Sequence, residues 1–260
     1  MTKSTELTST ESWDQLWTQP QPSRMTGQVK QRLRATRTWH QLLSDLLDST
    51  GRAPGQPVDV LELGCAPGSM LMLLHQLRPN HTYHGIDFAP EGLKTARRLL
   101  AAGGIPATLH LGDVRTAELP PVDLVVSFGL VEHFDDPAEI VTHHRRFLRP
   151  GGVVAVTVPN YSHPALVALL RRFSPDTLAT HNLRVMSEES LRAACATAGL
   201  VDIRTGVSGG PTMPNSRVRR DLSGTSYRLA ARTWNVCSDL LLPQGWPWPA
   251  TIWATGVHAG

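Results

Sequence analysis

Cysteine is sparse in this sequence. Cys65, Cys195 and Cys237 stand far apart, with no C-x-x-C pair. Neither a disulfide framework nor a thiolate metal set is expected, and a reducing cytoplasm is the simplest compartment. Long apolar runs are missing as well: none reaches the roughly 18 residues of a membrane-crossing helix. Met1–Glu11 is rich in Ser and Thr and lacks an apolar core, so residues 1–12 read as a disordered start and not as a secretory signal. Charge of one sign is weak, with 25 Lys and Arg against 22 Asp and Glu. That balance gives no ground for a nucleic-acid partner. Two basic clusters, Lys30/Arg32/Arg34/Arg37 and Arg217/Arg219/Arg220, read as a solvated helix face and a basic loop. No His, Cys or acid spacing argues a metal site, and none is expected.

What is present is a series of strand and helix patterns. The apolar run Val58–Leu63 ends in a small-residue turn, with Gly64, Ala66 and Gly68 at every second position. A run of helix formers, Ser69–Leu77, follows. Small residues let the backbone approach a ligand, and the helix N-terminus favours negative charge. Strand patterns continue at Tyr83–Asp87, Ala107–Leu111, Val122–Phe128 and Val153–Val158. Helical patterns at Pro90–Ala102 and Pro137–Leu148 separate them, the latter stopped by Arg149-Pro-Gly-Gly152. Repeated βα units predict a doubly wound, Rossmann-like parallel sheet. Beyond it the pattern predicts helices at Pro164–Phe173, from Ser187 to Gly199 and at Tyr227–Leu242, with strands at Leu200–Val207 and Thr251–His258.

The organisation expected is therefore a helical N-terminal cap over 13–56 and one catalytic domain over 57–260, with a cap-like insertion at about 209–249. Met25–Asp48 supplies most of the N-terminal helix, with Val29, Leu33, Leu42, Leu43, Leu46 and Leu47 as a partial apolar stripe.

Acids at successive strand ends add specificity. Glu62 closes the first strand, Asp87 the second, and Asp113 follows the third. An acid about twenty residues past the glycine turn can accept from both hydroxyls of a ribose. One beyond the next strand can accept from the exocyclic amine of a base. The dinucleotide fingerprint G-x-G-x-x-G fails, since positions 64, 66 and 69 are Gly, Ala and Ser. The pattern acid-x-Gly-x-small-x-Gly fits instead a ligand with an amine and a carboxylate, the carboxylate meeting backbone N–H groups.

These motifs resemble the class I S-adenosylmethionine-dependent methyltransferases over about residues 57–208. Leu61-Glu-Leu-Gly-Cys-Ala-Pro-Gly68, Gly85-Ile-Asp87, Gly112-Asp-Val114, Ser127-Phe-Gly-Leu-Val-Glu-His-Phe134 and Leu148-Arg-Pro-Gly-Gly152 are similar to five family motifs, in order. Ala66 departs from the usual Gly. The resemblance implies a seven-stranded sheet with an antiparallel last strand, and S-adenosylmethionine as cofactor. It places Glu62, Gly64, Cys65, Ala66 and Gly68 at the methionine part, and Asp87 at the ribose. Phe88, Asp113 and Val114 go to the base, and Phe128, Gly129 and Leu130 to the sulfonium.

Methyl transfer needs alignment more than acid–base chemistry. Candidate bases after strands four and five are Glu132, His133, Tyr161 and His163, with His181 beyond them. The Glu132–His133 segment also resembles the cyclopropane synthases, in which such a pair binds a small anion; as a bland alternative, the pair only fixes its loop. His143 and His144 read as surface residues. Trp13, Trp17 and Trp234 are candidate acceptor contacts. The expected activity is methylation of oxygen or nitrogen, or of carbon, on a small aromatic or apolar specialised metabolite, by a cytoplasmic monomer or homodimer. A protein of this fold that catalyses cyclisation, or that only binds the cofactor as a partner, is the alternative, and an RNA methyltransferase ranks behind both.

Overall fold

The computed structural model describes residues 40–53, 55–209 and 250–260, together with 7–9, 11, 13, 14, 226, 227, 229–231, 233, 234 and 237. Trp17, Val29, Leu33, both basic clusters and most of the 209–249 insertion lie outside the described residues.

Seven strands form one sheet. They are β1 (Asp59–Leu63), β2 (Thr82–Asp87), β3 (Ala107–Leu111), β4 (Val122–Phe128), β5 (Leu148–Pro159), β6 (Leu200–Ser208) and β7 (Thr251–His258). Their order is β3-β2-β1-β4-β5-β7-β6. The first five run parallel, while β7 pairs antiparallel with both β5 and β6. The described helices are α1 (His40–Asp48), α2 (Ser69–Leu77), α3 (Pro90–Ala102), α4 (Pro137–Arg146), α5 (Pro164–Phe173), α6 (Pro175–Ala179) and α7 (Glu188–Thr197). Among the described residues no helix is long and apolar enough to cross a membrane.

Strand alternation divides the interior into two cores. Leu61 and Leu63 of β1 and Val125 of β4 face one side, where α4 and α7 contribute Ile140, Val141, Leu191 and Cys195. Val60, Leu124 and Val126 face the other, with Leu42, Leu43, Leu46 and Leu47 of α1 and apolar residues of α2 and α3. α1 is tied to the domain through Asp48, whose carboxylate accepts from Arg78 at 2.8 and 2.9 Å. At the amino end of the sheet, Asp123 of β4 pairs with Arg52 and with Arg149. Arg149 also pairs with Asp59 at 2.7 Å.

Two readings of the sequence need correction. Arg149–Gly152 does not precede the fifth strand but bulges within it: Val122 is opposite Leu148, and Leu124 is already opposite Val153. His144 is not a surface residue. It shares the inward face of α4 with Ile140 and Val141 and is 0% exposed. His143 is half-buried beside Glu139. The described residues between 226 and 237 are helical in the main, as the sequence pattern predicts.

Candidate active site

The carboxyl ends of β1, β2 and β4 converge on one turn. After β1 the chain turns at Gly64, with φ +71°, a conformation glycine reaches at least cost. A Cβ there would also meet Leu130 Cδ1 at 3.2 Å, so Leu130 closes over the turn from β4. The N–H groups of Gly64 and Cys65 both donate to the carbonyl of Ile86, at 2.9 and 3.1 Å. That of Ala66 donates to Asp87 Oδ2 at 3.0 Å, and that of Gly68 to the carbonyl of Cys65 at 2.6 Å. The amides of Gly64, Cys65 and Ala66 hold the turn to β2, and that of Gly68 closes it on itself. The donors that helix geometry leaves open at the start of α2 are those of Ser69 and Met70, since the Leu71 N–H meets the Glu62 carboxylate.

Glu62 sits beneath this turn, 2% exposed. Its Oε2 has no hydrogen-bond partner. Burial, with the nearby charge of Asp87 adding to it, pushes its pKa well above the usual carboxylate range. Cys65 points inward: a Cβ at residue 85 would lie 2.7 Å from its Sγ. Burial, and then the charges of Glu62 and Asp87, raise the thiol pKa further, so Cys65 packs and is no nucleophile. Asp87 accepts from Ala89 N–H at 2.9 Å through Oδ1, beside the Ala66 bond to Oδ2. A carboxylate accepting two bonds keeps capacity for about two more. Burial raises its pKa against these backbone bonds. Phe88 beside it is half-buried.

Asp113 is placed differently from its expected use. Arg115 forks onto it, with Nε 2.9 Å from Oδ1 and Nη2 2.5 Å from Oδ2, and the Arg115 main-chain N–H adds a third bond at 2.8 Å. Burial pushes its pKa up, but Arg115 outweighs that and holds it below the usual value. Val114 is buried next to it and offers its carbonyl to Arg146.

The segments after β4 and β5 build the other half. Val131–His133 forms a short 3-10 turn. Glu132 folds in at 1% exposure with Oε2 unpartnered, and burial pushes its pKa up to about 8. His133 Nδ1 lies 2.8 Å from the carbonyl of Thr180. The His133 ring stands 4.6 Å from that of His181 and edge-on to Trp13 at 5.1 Å. Tyr161 is 5.5 Å from His181, ring to ring. Its phenol pKa is raised by burial and then by the charge of Glu132. One donor atom each from Glu132, His133 and His181 lies within 4.8 Å of the others. This grouping joins positions 48 residues apart, which spacing in the sequence does not reveal.

Other candidates fall elsewhere. His163 caps α5, its Nδ1 accepting from Ala165 N–H at 3.2 Å. Trp234 is 41% exposed, in a surface groove with Leu229, Ala230 and Cys237. Its helix packs through Tyr227, stacked 4.5 Å from Phe173.

Three residues matter that the sequence reading passed over. Asn182 donates from its main chain to the Glu132 carbonyl at 2.6 Å, and from Nδ2 to the carbonyls of Phe134 and Asp135. Thr180 meets both histidines, through its carbonyl and its hydroxyl. Asp14, next to Trp13, accepts from the Glu91 N–H at 3.3 Å at the start of α3. Residues 13 and 14 thus touch both halves of the site. The only signals in the sequence were the polar triplet Thr180-His-Asn182 and an acid beside a Trp.

Comparison with known proteins agrees with this geometry. A family model described as "Methyltransferase domain" matches residues 30–205, well over half of the chain. A trans-aconitate 2-methyltransferase of Azoarcus sp. (strain BH72) is 34% identical over 108 residues, 41% of each chain. A ubiquinone biosynthesis O-methyltransferase of Caulobacter sp. (strain K31) is 30% identical over 124 residues, 46% of this chain and 48% of that one. The chain spans less than half the length of these curated relatives. Among solved structures, phosphoethanolamine N-methyltransferase 2 of Haemonchus contortus, in complex with S-adenosyl-L-methionine, has a TM-score of 0.59 at 15% identity. That match covers 85% of this chain and 53% of the other, which shows a shared fold. With its seven-stranded sheet and a matched region that takes in both halves of the site, the chain belongs to the methyltransferase-domain family.

Proposed function

We propose that this chain transfers a methyl group from S-adenosylmethionine to oxygen or nitrogen of a small aromatic or apolar acceptor. The observation that carries this reading is the buried Glu62 carboxylate, its Oε2 without a hydrogen-bond partner, beneath a left-handed glycine turn, with Asp87 at the end of the neighbouring strand. A buried carboxylate oxygen left without a partner is costly. An ammonium group set against Oε2 supplies the missing partner, and the cofactor's amino acid end has one. Asp87 has the acceptor capacity for a ribose diol, and Phe88 lies beside it for the base. Asp113 serves through its position and through Val114, since Arg115 holds its carboxylate.

When bound, the cofactor supplies a methyl group on a positively charged sulfur. The chain's own work is to align the acceptor and exclude water. Trp13 fits that role, lying over His133 while Asp14 meets α3. His133, Tyr161 and His181 line the acceptor side. An oxygen acceptor agrees with the names of the trans-aconitate and ubiquinone-biosynthesis relatives. A reducing cytoplasm suits the buried free thiols of Cys65 and Cys195.

Calorimetry with S-adenosylmethionine and S-adenosylhomocysteine tests the cofactor. The expected result is binding of both, weakened at least tenfold by Asp87→Ala. Binding of neither overturns the reading. Release of S-adenosylhomocysteine with a panel of phenols, carboxylic acids and amines then identifies the acceptor.

A further inference from the structure

We propose that Glu132, His133 and His181 form a binding site for one first-row divalent transition-metal ion. This inference does not rest on the methyl-transfer reading. One donor atom from each residue lies within 4.8 Å of the others, the spacing of ligands around a shared ion. Two imidazoles and a carboxylate suit Zn²⁺, Fe²⁺, Co²⁺ or Mn²⁺ better than Ca²⁺ or Mg²⁺, which prefer all-oxygen sets.

A second, independent observation points to a ligand. Glu132 is 1% exposed, and its buried Oε2 has no hydrogen-bond partner. Native proteins rarely leave such an atom unsatisfied. A cation against it completes the site.

The histidine tautomers agree. A carbonyl only accepts, so the 2.8 Å contact to Thr180 O requires a proton on His133 Nδ1. The Thr180 hydroxyl gives its proton to the carbonyl of Asp176 at 2.9 Å. It therefore accepts from His181 Nδ1, 3.2 Å away. In both rings the proton then sits on Nδ1. A ligating histidine typically donates its other N–H to an oxygen behind it, and here one residue, Thr180, serves both. Asn182 then holds the two loops in register. Three protein ligands leave open positions, which suit water or an oxygen of a bound small molecule.

The test uses the full chain, stripped with EDTA, desalted and titrated with Co²⁺. Metal content is read by equilibrium dialysis with elemental analysis, and coordination by visible ligand-field absorption. The expected result is one Co²⁺ per chain with an absorption band. His181→Ala should abolish the band and weaken binding at least about 100-fold. Thr180→Val keeps all three ligands and removes the hydroxyl behind His181, so it should weaken binding roughly 10–100-fold. The stacked pair His84 and His110, 6.2 Å apart on neighbouring strands, is the control: His84→Ala should bind as wild type does. The proposal is overturned if wild type takes up less than one ion at Co²⁺ well above the protein concentration. It is also overturned if His181→Ala binds like wild type, or if His84→Ala alone abolishes uptake.

Discussion

The main-chain N–H of Asn182 donates to the carbonyl of Glu132 at 2.6 Å, fastening the loop after α6 to the loop after β4. The Asn182 side chain extends the stitch, with Nδ2 3.0 Å from the Phe134 carbonyl and 3.2 Å from that of Asp135. Asn182→Ala leaves the buried Phe134 carbonyl short of a donor. A buried polar group so stranded costs about 1–3 kcal/mol. The expected outcome is that loss in urea unfolding, with turnover falling further than cofactor affinity. Unchanged turnover at reduced stability would show that the stitch holds the fold and not the site.

At Gly64 the backbone, and not a side chain, shapes the turn after β1, the proposed cofactor turn. Alanine there takes on about 1–2 kcal/mol for its positive φ, and its Cβ presses on Leu130 Cδ1 at 3.2 Å. Leu130 gives way by tilting toward the site. Gly64→Ala should therefore unfold at lower urea and bind S-adenosylmethionine at least tenfold more weakly by calorimetry. Leu130→Ala in the same chain should recover part of the affinity by making room.

How much of this was legible beforehand follows from the range over which each feature acts. Period-2 alternation places Leu61 and Leu63 against one core and Val60 against the other, and this is visible in any window of six residues. The turn at 64–68 is equally local. The bulge at Arg149–Gly152 was not legible, because a Pro-Gly-Gly run reads as a turn whether it sits between elements or inside a strand. His144 was misplaced since polar character says nothing of helix phase: it stands four residues after Ile140, on the buried side, with Ser127 waiting across the gap. Asp113 was read as an open carboxylate, but Arg115, two residues on, reaches back to it around the bend. The Glu132–His133–His181 grouping joins loops after different strands, and only the topology brings those together.

Glu62 sets stability against binding. Its folded-state pKa is raised, first by burial and then by Asp87. A raised carboxyl pKa means that the folded state prefers the protonated form. The contribution to stability is present below the unfolded pKa and is lost as pH rises through the folded one. Above the unfolded pKa the buried acid therefore burdens the cofactor-free protein. Glu62→Gln removes the titrating group and should raise stability at neutral pH by about 1 kcal/mol, the lower end of the cost of an unsatisfied buried group. It should at the same time weaken S-adenosylmethionine binding by about 10–100-fold, the worth of a charge-assisted hydrogen bond of roughly 1.5–3 kcal/mol. Thermal unfolding without ligand and calorimetry with it check the two halves separately. A destabilised variant with normal affinity would remove Glu62 from the site.

The acid sensitivity of the fold should trace to His144. Its Nδ1–H donates to the Ile140 carbonyl at 2.7 Å, and its Nε2 accepts from the Ser127 hydroxyl at 2.9 Å. The Ser127 bond needs the neutral ring, while the Ile140 bond is open to either form. Complete burial lowers its pKa from 6.5 to about 4, against a smaller opposing effect of the Ile140 bond. The unfolded chain takes up a proton near 6.5, and the folded protein resists until about 4. The contribution to stability is thus whole above pH 6.5 and is lost progressively as pH falls from there to 4. A shift of this size corresponds to roughly 3 kcal/mol. Removing both partners avoids stranding either one, so the double variant Ser127→Ala, His144→Leu is the comparison. Between pH 7 and pH 4, wild type should lose about 3 kcal/mol more than the double variant in urea unfolding. Equal losses in the two proteins would place the acid sensitivity in other groups.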